Sequence, residues 1–405
     1  MCTKALQKIY FSAPGVFSSA GKNIDELWNA VCSGDNSGIK KIKTLSGKEF
    51  FAGRVDDCDL PQVNARLNMK IIRMEAASLF QIEKFILDAK EKYGAERVAV
   101  CAGSCDNGSE LSLAGHRRFF EEGEFPASYK LEYQCADYVA SFISEHYGLA
   151  AASLAFTTAC ASSAAAISKG AELIRSGLAD AVVAGGVDLA SDTVLLGFDA
   201  LESISPQKTN PFSKNRKGIS LGDAAAFFVL SRDNLFKDGI PVLLSGSGQS
   251  SDAYHITSPD PEGSGAARAM QDALDEACLC AEDIDYLNLH GTGTPLNDSM
   301  ESKAVEKVFG KHRLLCSSTK SETGHTLGAA GALEAAVCWK LIQESAKGSS
   351  KIPVQVWDQE RDEALPELNF AGKGASLTSR VKNCMSNSFA FGGSNSVLIL
   401  SAEDE

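Results

Sequence analysis

Four loops of small residues hold the side chains with the most chemistry in this chain of 405 residues. Cys160 lies in "FTTACASSAAAI" (156–167), where a strand-like run ends at Ala159 and a helix-like run begins at or just after the cysteine. A thiol at a helix N-terminus meets free N–H groups and the positive end of the helix dipole, and both favour the thiolate. Alanine and serine neighbours leave room for an acyl group to reach the sulfur and for backbone amides to face its oxygen. On position alone Cys160 is either a nucleophile or one more packed thiol.

Histidine is scarce, with six in the chain. His290 ends an apolar run and precedes "GTGTPLND", where glycines beside threonines let backbone and hydroxyls approach a ligand closely. His325 lies in "STKSETGHTLGAAGALE" (318–334), a polar loop that leads into a small-residue helix. In "NSFAFGGSN" (387–395), two glycines after Phe391 predict a tight turn with exposed amides. A histidine at a strand end is more often structural than catalytic, but the four loops together are harder to explain by structure alone.

The elements that must position these loops alternate along the chain. Residues 97–103, 153–159, 180–187, 225–231 and 284–291 are strand-like, several without polar alternation, as in strands buried on both faces. Residues 164–177, 266–279 and 331–345 carry apolar side chains at helical spacing. The alternation predicts an α/β chain of layered sheets, split near residue 240 into halves 1–240 and 241–405. No segment has the composition of a flexible linker.

A net charge of -13 argues against nucleic acid or an anionic membrane as partner. No apolar run reaches membrane-spanning length and the N-terminus lacks a signal-peptide core, so a cytoplasmic location is expected. The twelve cysteines form no Cys-x-x-Cys pairs and read as reduced, buried small hydrophobes.

The order "TACASS", "HGTGTPLND", "STKSETGHTLGAAGA" and "NSFAFGGSN" resembles the β-ketoacyl-acyl carrier protein synthases, the elongating condensing enzymes of fatty acid and polyketide synthesis. Two further stretches, 210–230 and 251–270, are similar to family segments. The resemblance implies a thiolase-type fold: two similar halves, each with a mixed five-stranded sheet, in an αβαβα layering, assembled as a homodimer. It implies that Cys160 accepts an acyl chain from a carrier-protein thioester, with the amides of Cys160 and Phe391 as oxyanion hole. His290 and His325 would hold the malonyl thioester carbonyl while decarboxylation leaves an enolate, which attacks the acyl-cysteine. Lys320 and Glu334 would pair and order the His325 loop, and Thr292 and Thr294 would contact the pantetheine arm. No metal or redox cofactor is implied, because loss of CO2 drives the carbon–carbon bond formation.

Thiolases carry a second cysteine in place of His325, and initiating condensing enzymes carry Cys–His–Asn, so a Cys–His–His set selects the elongating class. The other reading is a chain-length partner subunit of a heterodimeric condensing enzyme, against which Cys160 argues. Two finer expectations follow. The 3–4-residue spacing of Arg66, Lys70 and Arg73 puts them on one helix face, with Arg117 and Arg118 nearby, either as a basic patch for an acidic acyl carrier protein or as an ordinary solvated face. The resemblance implies that the loop holding Asp106 and Asn107 in "GSCDNGSE" lies near the end of the acyl tunnel, where an unpaired carboxylate disfavours long saturated chains; the other reading of "DNG" is a surface turn.

Overall fold

The computed structural model describes residues 7–64, 67–106, 108–127, 129–310, 312 and 314–403. Its strands are β1 (Tyr10–Phe11), β2 (Gly15–Ser18), β3 (Lys40–Lys43), β4 (Glu49–Gly53), β5 (Val98–Gly103), β6 (Ser153–Phe156), β7 (Ala181–Asp188) and β8 (Leu221–Gly222). They continue as β9 (Ala224–Ser231), β10 (Val242–Ser251), β11 (Tyr286–Asn288), β12 (Leu315–Ser317), β13 (Asn369–Phe370), β14 (Asn383–Phe389) and β15 (Ser394–Ala402). The expected strand runs are present, although 153–159 and 284–291 shorten to β6 and β11, leaving Cys160 and His290 in the loops beyond.

Two series of strands repeat one topology. In order β6-β5-β7-β9-β1, the first two pairings are parallel and the next two antiparallel. In order β12-β11-β14-β15-β10 the same sequence of pairings recurs, with β13 added at the edge. The two series join where β1 meets β10, with Tyr10 opposite Leu243. A small separate sheet, β3-β4-β8, lies outside them.

Both sheets are buried on both faces, which explains strands without polar alternation. Between them, the helices Ser162–Arg175 and Ala330–Ala346 pack against Ala99, Cys101, Val182 and Ala184 of one sheet and Leu398 and Leu400 of the other. Outside the first sheet, helices Lys70–Leu79, Glu83–Tyr93 and Tyr138–Tyr147 cover the alternate residues Val98, Val100 and Val183. Outside the second, helices Ser264–Ala277 and Pro295–Phe309 cover Leu287, Met385 and Ile399. The result is the αβαβα layering of a thiolase-type fold. The two central helices touch closely: a Cβ on Gly331 would lie 2.7 Å from the Ala164 methyl.

Among the described residues, ten cysteines are free thiols. Cys101, Cys160, Cys316, Cys338 and Cys384 are buried as expected, whereas Cys58, Cys105, Cys135 and Cys280 are exposed. No described helix is long and apolar enough to cross a membrane.

Candidate active site

Cys160 sits in a sharp turn between β6 and the first central helix. Residues Ala159–Ala161 form a 3-10 turn before the helix Ser162–Arg175. Ala159 takes φ 48°, the left-handed region that costs an L-residue about 1–2 kcal/mol. Ser162 secures the turn, its Oγ accepting from Thr158 N–H at 3.0 Å and donating to Ala159 O at 2.6 Å. The backbone N–H groups of Phe391 and of Cys160 itself lie close enough to the sulfur to favour its thiolate. Burial pushes the thiol up to about 12, opposed by the Lys320 charge and these two amides. Phe391 is followed by Gly392 and Gly393 at φ 83° and 75°, a tight turn that a side chain would strain.

His325 comes from the loop before the second central helix, with Nε2 2.9 Å from Cys160 Sγ. Leu327 N–H donates to His325 Nδ1 at 3.3 Å. A neutral imidazole has one proton, so this bond leaves it on Nε2, facing the sulfur. Two backbone bonds seat the loop on β8 and its approach: His325 N–H to Ser220 O at 2.7 Å and Gly222 N–H to His325 O at 3.0 Å.

His290 follows β11 and stands edge-on to His325, ring centres 5.2 Å apart. Glu301 accepts from His290 N–H at 2.8 Å, Gly291 N–H at 2.7 Å and Asn387 Nδ2 at 3.1 Å, which fixes the loop to the helix Pro295–Phe309 and to β14. Burial, followed by the Lys320 charge, holds both imidazoles well below the usual histidine range, so both are neutral.

Lys320 and Glu334 form an ion pair that is buried on both sides. Burial lifts the Glu334 carboxyl to about 7 against the pull of Lys320. The donor atoms of Cys160, His290 and His325 lie within 4.8 Å of one another, a spacing that could suit a metal ion. The Leu327 bond, however, occupies the Nδ1 lone pair and puts a proton where a metal would need the other one. The cluster is therefore set to donate hydrogen bonds rather than to ligate.

These three side chains line a cavity of about 370 Å³. Thr292 and Thr294 line it too, their hydroxyls 3.0 Å apart, and Lys217 stands exposed on its wall. Sequence reasoning missed Lys217, Asp298 and Glu301. A carboxylate inside a helix of mixed charged and apolar residues gives no sign that it faces loop amides, as Asp298 does those of Phe212 and Gly293.

Other expectations are corrected. Asp106 does not line this cavity and is not unpaired: it accepts from Gly108 N–H, Ser109 Oγ and, at 2.6 Å, Tyr138 OH. Lys70 is held 2.8 Å from buried Asp223, and Arg73 is 2.7 Å from Asp57, so neither is a free docking cation. Arg117 and Arg118 pair with Glu121 and Glu122 one helical turn on. Arg66 and Asn107 lie outside the described residues.

Known proteins are similar to this chain in sequence and fold. Family models described as the β-ketoacyl synthase N-terminal and C-terminal domains match residues 9–235 and 242–347. The chain is 33% identical to the 3-oxoacyl-[acyl-carrier-protein] synthase 2 of Vibrio cholerae, over 97% of this chain and 98% of that one. The enzyme of the same name from Coxiella burnetii is 32% identical over 98% of each chain. A chain from the complex of a ketosynthase with its chain length factor from Xenorhabdus doucetiae superposes with a TM-score of 0.88 at 36% identity, covering 98% of each. A β-ketoacyl synthase from Burkholderia phymatum gives 0.83 at 28% identity, covering 98% of this chain and 100% of that one. With both models matching and full-length relatives this similar, the chain belongs to the β-ketoacyl synthase family.

Proposed function

We propose that this chain is a 3-oxoacyl-acyl carrier protein synthase, an acyltransferase that condenses malonyl-carrier with a Cys160-bound acyl chain in fatty acid or polyketide synthesis. The observation that carries the reading is the contact of His325 Nε2 with Cys160 Sγ at 2.9 Å, beside His290 and two backbone amides, on the wall of a cavity. In the first half-reaction the Cys160 sulfur gives up its proton and attacks the acyl thioester, the carbonyl oxygen takes negative charge under the N–H groups of Cys160 and Phe391, and the carrier sulfur leaves, taking up a proton to become the free thiol. In the second, malonyl-carrier loses CO2, and the enolate oxygen lies against the N–H groups of His290 and His325. Its carbon attacks the acyl carbonyl, Cys160 leaves as thiolate and is reprotonated, and 3-oxoacyl-carrier departs.

Neutral histidines suit this division, since each offers one N–H to a developing oxyanion without first losing a proton. Lys320 and Glu334 support the His325 loop, and Thr292 and Thr294 stand where a pantetheine arm would enter the cavity. Lys217, exposed on the cavity wall, replaces Lys70 and Arg73 as the cation best placed to meet an acidic carrier. The reading divides the chain at residue 240, takes the assembly as a homodimer, and keeps the cytoplasm as its location on sequence grounds.

The test is incubation with acyl-carrier and malonyl-carrier, followed by intact-mass analysis of enzyme and carrier. Expected are acylation at Cys160 and release of 3-oxoacyl-carrier, both absent in Cys160→Ala. His290→Ala and His325→Ala should still acylate but lose condensation by roughly a hundred- to a thousand-fold. Acylation at another thiol, or full condensation by either histidine variant, would refute the assignments.

A further inference from the structure

His325 depends on a turn that no part of the cavity explains. Leu327 takes φ 52°, a conformation L side chains rarely adopt, and its N–H thereby meets His325 Nδ1 at 3.3 Å. The next N–H, that of Gly328, donates to Asp188 Oδ2 at 2.8 Å. The same oxygen accepts from Cys105 N–H at 2.8 Å, and Oδ1 accepts from Leu189 N–H at 3.2 Å. Asp188 ends β7 and is 1% exposed. The turn rests directly on this carboxylate: a Cβ at Gly328 would lie 2.8 Å from Oδ2 and 2.9 Å from Cys105 N.

We infer that Asp188 is a positioning residue for His325: by holding Gly328 N–H it keeps Leu327 N–H on Nδ1 and the imidazole proton on Nε2. A neutral imidazole whose Nδ1 accepts a hydrogen bond must carry its proton on Nε2. That proton points at Cys160 and at any carbonyl bound beside it. Once the turn is released, nothing opposes the other tautomer, whose Nε2 lone pair would repel an enolate oxygen instead of stabilising it. Asp188 thus acts on the chemistry from behind the loop, without touching sulfur or substrate. It also ties the Cys105 loop to the His325 loop through one oxygen.

The inference rests on the condensation reading for its consequence, but the tautomer can be read without substrate. Protein labelled with 15N at histidine is examined by NMR, with the His325 signals assigned by their loss in His325→Ala. Wild type should show a protonated Nε2 and an unprotonated Nδ1 from pH 6 to 8. Asp188→Ala should show both tautomers and lose condensation about a hundredfold, as for a misplaced catalytic group, while iodoacetamide still labels Cys160 within about threefold of wild type. Asp188→Asn keeps one acceptor oxygen but sets an NH2 group in place of the other, so not all of the Gly328, Cys105 and Leu189 N–H groups keep their partner, and a minor Nδ1–H signal and an intermediate loss are expected. If Asp188→Ala does not fold, the asparagine variant decides.

A wild-type Nδ1–H tautomer would overturn the inference, as would a folded Asp188→Ala, or in its absence Asp188→Asn, with the wild-type histidine spectrum. Wild type with the expected tautomer and variant response, but with no condensation on any carrier pair, would instead refute the proposed function alone.

Discussion

Cys160 is a weak acid in the free protein, since burial pushes its thiol up to about 12. Well below that value the thiolate fraction grows with pH, so iodoacetamide labelling of Cys160 should rise by about tenfold per unit between pH 7 and 10. A plateau beginning near pH 7 would show a thiolate already formed. The Lys320–Glu334 pair poses a different question, because both charges are buried. Lys320→Met leaves Glu334 without its counter-charge and should cost about 3–5 kcal/mol. Adding Glu334→Leu should recover much of that loss, while condensation stays impaired. Chemical denaturation of the two variants decides it: no recovery in the double variant would mean that lysine packing, rather than charge pairing, holds the loop.

At the scale of the element, the turn at Ala159 determines where the nucleophile points. Its left-handed backbone favours glycine, tolerates alanine and opposes a β-branched side chain. Ala159→Gly should leave stability within about 0.5 kcal/mol, relief of strain offsetting unfolded-chain entropy. Ala159→Val should cost about 1–3 kcal/mol and slow acylation, measured by denaturation and by intact mass. Equal stability of the valine variant would remove the strain argument. Elements also differed in legibility. The central helices appear within two residues of their expected limits because apolar spacing marks them. Strand β10 gave no such signal: Gly246 and Gly248 press against the helix Ser264–Ala277, where a Cβ would lie 2.1 and 1.9 Å from carbonyl oxygens. Close packing there excludes the β-branched residues by which a strand is recognised.

Across the whole molecule, buried carboxyls dominate the dependence of stability on pH. Burial lifts Asp188, Glu301 and Glu334 to about 7 and Asp298 to about 6. Each binds its proton more tightly folded than unfolded, so the folded state holds more protons between the ordinary carboxylate range and pH 7. Stability from these groups is fully present below their unfolded values and is lost as pH rises through the folded ones. His290 and His325, held neutral, oppose this below the ordinary histidine value of about 6.5, so Tm should fall from pH 6.5 to 7.5, and Glu301→Gln should flatten that slope; a Tm rising over the interval would contradict it. The edge strand β6 bears on assembly. Among the described residues it pairs only with β5, and a free edge that is not blocked invites another strand. Ala152 and Phe156 carbonyls face β5, so the Ala155 N–H points outward. Ala155→Pro should leave β5 pairing intact and convert the proposed homodimer to monomer by light scattering. An unchanged dimer would place the interface elsewhere.

The amino-acid sequence by itself determined the layered α/β class, the strands buried on both faces and the loops bearing Cys160, His290, His325 and Phe391. Those are local properties: periodicity of apolar side chains, and glycine where the backbone must turn tightly. Whether a charge is free is not local. Lys70, Arg73 and Asp106 read as available from their neighbours in sequence, yet each meets a partner brought from a distant segment: Lys70 meets Asp223, Arg73 meets Asp57 and Asp106 meets Tyr138. For the same reason Asp188 and Glu301 went unnoticed, since a carboxylate shows its purpose only when folding sets the amides of another loop against it. Tertiary structure alone decided which proton His325 keeps, because Leu327 N–H, Gly328 N–H and the end of β7 meet only in the folded chain.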